Sequence, residues 1–391
     1  DECTTVARSL VNGATVRYPA NTLRTLRRLV ERSAHLIAMD ADFDCDGFGS
    51  SLLKGIAPER PLLQIQTTQP SQSTTLLLFY RGIKGDQAAF DQWLEYYSLR
   101  SKAVRQRDES KNRTYVGASW PKDVVAIGKR LRDLGVRVRG LHGKLGGKVR
   151  REALSDLDEY VVDHDALVTT SVAGIATDQS CKYAAMFLML HSGEHAPAPQ
   201  LALQQAGRCN RNAAQPLDPF SHGGVSYPGG VAFVCLPGVP PDLTAPAEPA
   251  GQYRINRVFH ALKGPVRRRH AAVGATQREA ENAYRRTNTT LAPSAQGMVS
   301  VSSVPADRVE ALHGDPKSAR DLDTLIALET WSRVEDSDKE ACNYTRSFLE
   351  RNAVGNKCFG IARGPRMDQQ RVDQLERLRS ACLPGTATED E

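Results

Sequence analysis

Gln204-Gln205-Ala206-Gly207-Arg208-Cys209-Asn210-Arg211 fits the pattern Q-x-x-G-R-x-x-R. Residues three apart on a helix share a face, so Arg208 and Arg211 project to the same side. Two guanidinium groups so placed can reach a nucleotide held by a neighbouring domain and stabilise the charge spread over a transferring phosphoryl group. Gly207, with no side chain, allows close backbone approach at the same point. Taken by itself the octet also suits an ordinary basic helix, and what precedes it decides between the two.

About thirty residues upstream runs Asp165-Ala-Leu-Val-Thr-Thr-Ser-Val-Ala-Gly-Ile-Ala-Thr177, an apolar strand entering a turn of small and hydroxyl residues. Thr170, Ser171 and Gly174 there suit contacts to a sugar-phosphate chain, through hydroxyls and backbone amides. Earlier still come Val136-Arg-Val-Arg-Gly-Leu-His142-Gly143-Lys144 and the basic run Arg150-Arg151-Glu152-Ala153-Leu154. Lys144 is the candidate backbone contact in this turn. Between Trp120 and Glu152 ten Lys/Arg face three Asp/Glu, a local excess of seven in a chain whose formal net charge is +6. Such a concentration points to a phosphate-bearing partner, with a solvated helix face as the alternative. His142 has no second His or Cys at metal spacing, and a local hydrogen bond in its turn is expected.

Strand-and-helix segments recur at 114–118, 123–134, 136–141, 148–160, 166–170, 184–190, 199–209 and 231–236. Short apolar strands alternating with helical patterns indicate an α/β fold with a doubly wound, mostly parallel sheet. Upstream, Thr22 to Arg32 reads as a basic amphipathic helix, His35–Met39 as a short strand, Leu62–Thr67 and Thr75–Tyr80 as two more. Asp86 to Leu99 reads as a helix with Phe90, Trp93 and Tyr97 on one side, a stripe that suits a core better than a base-stacking platform. Residues 237–251 hold five prolines and read as a linker. Beyond it, 319–352 has helical periodicity and Lys263 to His270 is a short basic run.

The chain has 391 residues, 40% hydrophobic and 25% charged, which suits two or three globular domains. Its eight cysteines include no C-x-x-C pair, which argues for free thiols and against a zinc ribbon. No apolar run is long enough to span a bilayer.

In order and spacing these segments resemble the fifth and sixth motifs of superfamily-two helicases. Asp1-Glu2-Cys3-Thr4 stands where the D-E-x-x element belongs, and Ile37-Ala-Met-Asp-Ala41 reproduces the coupling element of one branch. That branch is the origin-of-replication-binding helicases of herpesviruses and their relatives in algae and large DNA viruses. The resemblance covers roughly 1–236. It implies RecA-like lobes, ATP and Mg²⁺ as cofactors, DNA as partner, a role in DNA replication, and a nucleus or other DNA-containing compartment. Asp1 would hold Mg²⁺ through water, and Glu2 would polarise the attacking water. Asp40 and Asp42 would couple hydrolysis to domain movement, and Gln204, Arg208 and Arg211 would face the γ-phosphate. Accordingly, 1–112 is expected to be the end of a first RecA-like lobe with an insertion, 113–236 a complete second lobe, 237–251 a linker and 252–391 a mainly helical region.

The sequence contains no G-x-x-x-x-G-K-[ST], the loop that cradles β- and γ-phosphates. With Asp1 inside a motif, a fragment is expected that binds nucleic acid without hydrolysing ATP. A second reading takes Asp40, Asp42 and Asp44 as a Mg²⁺ site of nuclease type. Asp42-Phe-Asp44-Cys-Asp46-Gly47 also mimics a calcium loop, but its twelfth position is Leu53, where a bidentate acid is required.

Overall fold

The structure, a computed structural model, describes residues 19–38, 56, 74–105, 113–174, 183–193, 196–208, 217–244, 341–353 and 359–382. The chain divides into two compact units, Asp1–Thr67 with Thr244–Ser337, and Thr68–Leu243 with Asp338–Glu391. In the first, α1 (Pro19–Arg32) opens on a proline, which suits the first turn because no amide is needed there. The Ser33 hydroxyl closes it by donating to the Val30 carbonyl at 2.8 Å. The strand expected at His35–Met39 is not one over 35–38; the backbone there is irregular and Ile37 is 78% exposed. A short apolar run needs a neighbouring ladder to become a strand, and none pairs with it among the described residues.

The second unit is built on a seven-stranded sheet. In chain order its elements are β1 (Thr75–Tyr80), α2 (Asp86–Arg105), β2 (Arg113–Ala118), α3 (Pro121–Asp133), β3 (Val138–Leu141), α4 (Gly147–Ser155), α5 (Leu157–Val161) and β4 (Ala166–Thr169). A single 3₁₀ turn (Ser171–Gly174), β5 (Tyr183–Met189), α6 (Pro199–Arg208), the hairpin β6 (Phe220–His222) and β7 (Val225–Tyr227), β8 (Val231–Leu236), α7 (Ala341–Ala353), β9 (Gly360–Arg363) and α8 (Gln369–Cys382) follow. The strand order is β3-β4-β2-β5-β8-β1-β9, and every neighbouring pair is parallel.

Parallel strands covered on both faces read as continuous apolar runs, because alternate side chains enter two different cores. Leu77 and Phe79 of β1, Phe187 of β5 and Phe233 of β8 face one layer with Phe90, Trp93 and Tyr97 of α2, Val124, Ile127 and Leu131 of α3, and Leu375 of α8. Leu76 and Leu78, Leu188 and Val234 face the other with Ala153 of α4, Leu157 and Val161 of α5, Ala202 and Ala206 of α6, and Tyr344 and Phe348 of α7. The unit is thus the α/β, doubly wound parallel sheet expected of a RecA-like lobe, and the aromatic stripe of α2 is core.

Besides the hairpin β6–β7, for which no segment was expected, two features differ from the sequence expectation. The helix expected over 148–160 is broken at Asp156, whose backbone is extended (φ −148°, ψ 93°) and whose carboxylate accepts from the Glu159 amide at 3.0 Å. An Asp at that position caps a new helix in preference to continuing an old one. The expected divisions at 112/113 and 236/237 also run through the sheet. β1 enters between β8 and β9, and α7, β9 and α8 come from the region expected to be separate and helical. The physical reason is that β8 needs a partner on each side, and the apolar Leu76-Leu-Leu-Phe79 run supplies one.

Candidate nucleic-acid interface

From β2 the chain crosses through α3 towards β3; from β5 it passes through α6 to β8, in the opposite direction along the sheet. Connections that diverge in this way leave a crevice at the carboxyl ends of the strands, the usual ligand position in open α/β sheets.

On one side of that crevice lie the ends of β3 and β4. Leu141 pairs with Thr169, and the Thr170 amide donates to the Leu141 carbonyl at 3.0 Å, so His142 and Thr170 are neighbours. Thr170 is only 5% exposed, yet its Oγ1 has no hydrogen-bond partner among the described residues, and the same holds for His142 Nδ1. The local hydrogen bond expected for the His142 side chain is therefore not made at Nδ1; the turn is closed by the main chain, with the Leu145 amide donating to the His142 carbonyl at 3.1 Å. Burial and the Lys144 ammonium hold the imidazole below its ordinary pKa. Lys144 is exposed, Ser171 half-buried, and Gly174 closes the 3₁₀ turn. A buried hydroxyl and a neutral imidazole nitrogen, without partners among the described residues and beside an exposed cation, form a group set able to bind a phosphate or sugar.

On the other side lie the ends of β1, β2 and β5, where Arg81, Ser119, Trp120, Lys122, Asp123 and His191 converge. Ser119 Oγ accepts from the His191 amide at 2.9 Å. The indole of Trp120 stacks on the His191 ring, 4.2 Å between centroids and 20° between planes. Arg81 Nη1 lies 2.6 Å from His191 Nδ1, and Asp123 Oδ2 lies 3.2 Å from Nε2. Lys122 Nζ stands 4.2 Å from the Trp120 ring centroid. Burial, Arg81 and Lys122 push the His191 pKa down to about 4, so the ring is neutral near pH 7; burial raises that of Asp123. Sequence reading missed this cluster. Arg81, Ser119 and His191 each stand directly after an apolar run, and that polar residue at a strand end is the signal that could have found the cluster.

A folded-state pKa below the unfolded value means the unfolded chain binds the proton more readily, so stability rises with pH across that interval. The His191 contribution is expected to be complete above about pH 6.5, the ordinary histidine value, and to be lost as pH falls towards about 4. Asp123 works in the opposite sense at the acid end, so the check is a difference. Urea unfolding from pH 7 to 4.5 should be less steeply pH-dependent in His191→Asn than in the wild type. Parallel profiles would contradict the assignment.

Of the residues expected to face a nucleotide, Gln204 is half-buried on α6, and Arg208 is the last residue of that helix. Its next neighbour, Gln205, is buried and donates through Nε2 to the Tyr115 hydroxyl of β2 at 2.8 Å. Gly117, two residues along β2, has no room for a side chain: a Cβ would stand 2.6 Å from Leu188 Cδ2 and 2.8 Å from Gln205 Nε2. Asp1, Glu2, Asp40, Asp42, Asp44 and Arg211 lie outside the described residues. Among the described residues no group of three or more His, Cys, Asp or Glu is placed to hold a metal ion, and no helix is long and apolar enough to cross a membrane.

No protein-family model and no curated protein matches the chain. Among solved structures it is similar to S. cerevisiae Dbp5 bound to RNA and ADP BeF3, at 19% identity and a TM-score of 0.39, over 56% of this chain and 49% of that one. The chain thus spans about half the length of that structure. It is also similar to the C-terminal domain of the DEAD-box protein Dbp5 at 18% identity and a TM-score of 0.29, over 43% of this chain and 78% of that domain. The Pyrococcus furiosus Hef helicase domain matches at 17% identity and a TM-score of 0.24, over 38% of this chain and 26% of that one.

Proposed function

We propose that this chain belongs to an ATP-dependent nucleic-acid helicase and that its sheet unit is the second RecA-like lobe, gripping the nucleic-acid backbone at the carboxyl ends of β3 and β4. The observation that carries this is the pair of buried polar atoms without a partner among the described residues, Thr170 Oγ1 and His142 Nδ1, beside the exposed Lys144. Thr170, Ser171, the Gly174 turn and Lys144 contact phosphate and sugar. Gln204, Arg208 and Arg211 serve the γ-phosphate of ATP bound with Mg²⁺, and Asp1 and Glu2 the metal and the attacking water. DNA, and replication origins as the place of action, rest on the resemblance of Ile37-Ala-Met-Asp-Ala41 and its spacing from Asp1-Glu2.

The experiment is equilibrium binding of a fluorescent single-stranded oligodeoxynucleotide between 50 and 200 mM salt. Each phosphate neutralised on a single strand steepens the log–log salt slope by about 0.7. Lys144→Gln should flatten the slope by about that amount, and Thr170→Val should weaken binding by roughly five- to ten-fold through one lost hydrogen bond. Binding indifferent to salt, or unchanged in both variants, would sink the assignment. An RNA oligonucleotide of the same sequence run in parallel tests the preference for DNA.

A further inference from the structure

We propose that the stacked Trp120–His191 pair is a subsite on which one base of a single-stranded nucleic acid stacks, displacing Lys122 from the indole onto the adjoining phosphate. The inference rests on the nucleic-acid reading above but on different residues, across the crevice from Thr170 and His142.

Trp120 occupies the N-cap of α3, with extended backbone (φ −127°, ψ 147°) and no side-chain hydrogen bond to the helix. Ser, Thr, Asp or Asn is preferred there because a side-chain oxygen satisfies the first amides, so an aromatic at this position gives up local stability. The ring is not compensated by entering the core: it is half-exposed at the sheet rim, whereas Trp93 is 0% exposed. Local rules broken in this way tend to mark functional positions.

The pair is also preorganised. His191 covers one indole face, and the Lys122 ammonium, at 4.2 Å from the same centroid, must therefore stand over the other. Arg81 Nη1 stands within hydrogen-bond distance of both ring nitrogens, Asp123 Oδ2 lies 3.2 Å from Nε2, and Ser119 holds the His191 backbone. The imidazole is neutral, so it stacks without a charge to solvate. Lys122 itself is exposed. An exposed cation–π contact is weaker than a base stacked on an aromatic ring, so a base replaces the ammonium. The released ammonium then lies within one side-chain length of the ring, where the phosphate flanking that base would pass. Every base has a π-face, so the subsite is indifferent to sequence and requires a base that is not paired in a duplex.

The test uses the full chain with two probes of equal length and charge: oligothymidylate and an abasic oligodeoxynucleotide. The wild type is expected to bind oligothymidylate about 5- to 100-fold more tightly than the abasic strand, with a change in tryptophan fluorescence. Trp120→Ala should abolish that preference and the fluorescence change while holding its affinity for the abasic strand. Trp120→Phe, which keeps an aromatic ring and part of the volume, should retain most of the preference without the fluorescence change. Equal wild-type affinity for the two probes, or a preference that survives Trp120→Ala, overturns the stacking subsite and leaves backbone binding at Thr170 and Lys144 standing. Failure of the wild type to bind either strand overturns the nucleic-acid reading itself.

Discussion

Trp93→Ala is expected to lower the free energy of unfolding of the sheet unit by about 3–5 kcal/mol, the range for emptying a fully buried large aromatic position. Trp93 is 0% exposed and lies at the centre of an aromatic cluster. Its ring meets Phe220 edge-on at 5.3 Å, Tyr96 edge-on at 5.9 Å and Phe233 at 5.6 Å, and these contacts join α2 to the hairpin and to β8. Its indole N–H donates to the Pro365 carbonyl at 2.8 Å, a bond spanning 272 residues. The substitution therefore leaves a cavity and takes the donor from a half-buried carbonyl, and the cavity is the larger cost. Trp93→Phe fills part of the space and should recover roughly half of the loss. Urea denaturation monitored by circular dichroism measures both. A Trp93→Ala cost below about 1 kcal/mol would mean that 359–382 is not held to α2 in the way described, and the sheet would lose its β9 edge.

How that bond arises shows what a sequence can and cannot reveal. β2, β4, β5 and β8 were legible because a strand buried on both faces is mostly apolar, and Val116, Leu167, Phe187 and Val234 stand in such runs, whereas the short, half-exposed hairpin β6–β7 was not. The helical stripe of Phe90, Trp93 and Tyr97 was legible for the same reason at a different period. The partner of Trp93 was not, because Pro365 lies past a long stretch of different composition and pairs through a carbonyl that every residue possesses. The limits of the unit failed to show for a related reason. β1 finds its place beside β8 and β9 through a register that no local pattern encodes. In the candidate interface, Thr170, Ser171 and Lys144 could be picked out because each sits in a motif contiguous in sequence. Arg81, Trp120, Asp123 and His191 were not, since three separate strand ends bring them together and only the polar residue after each apolar run marks the place. The strand order that does so follows from crossover connections rather than from the residues themselves.

Gly117→Ala is expected to destabilise the unit by about 1–3 kcal/mol, the cost of forcing a methyl group into a filled core. A strand glycine replaced by alanine would otherwise gain up to roughly 1 kcal/mol from reduced unfolded-state freedom, so packing reverses the sign. The new Cβ would stand 2.6 Å from Leu188 Cδ2 and 2.8 Å from Gln205 Nε2, and both neighbours must move. Leu188 can give way by changing rotamer, but the Gln205 amide donates to the Tyr115 hydroxyl at 2.8 Å, and both of these residues are buried. Moving the amide breaks that bond and displaces α6, the helix that carries Gln204 and ends at Arg208. Removing the amide first should relieve most of the clash. The double variant Gly117→Ala, Gln205→Ala is thus expected to be more stable than the sum of the single effects predicts, by about 0.5–3 kcal/mol, the coupling typical of residues in contact. Additivity within about 0.5 kcal/mol would show that Leu188 alone absorbs the methyl group and that α6 is positioned independently of β2. The strand that seats Gln205 runs on into Ser119 and Trp120, so the Gln205–Tyr115 hydrogen bond links the arginine-bearing helix through β2 to the rim of the crevice. If that path is stiff, the Gly117→Ala variant should also alter affinity for oligothymidylate, although residue 117 touches no ligand. An unchanged affinity alongside the full stability loss would place the two ends of β2 in separate mechanical compartments.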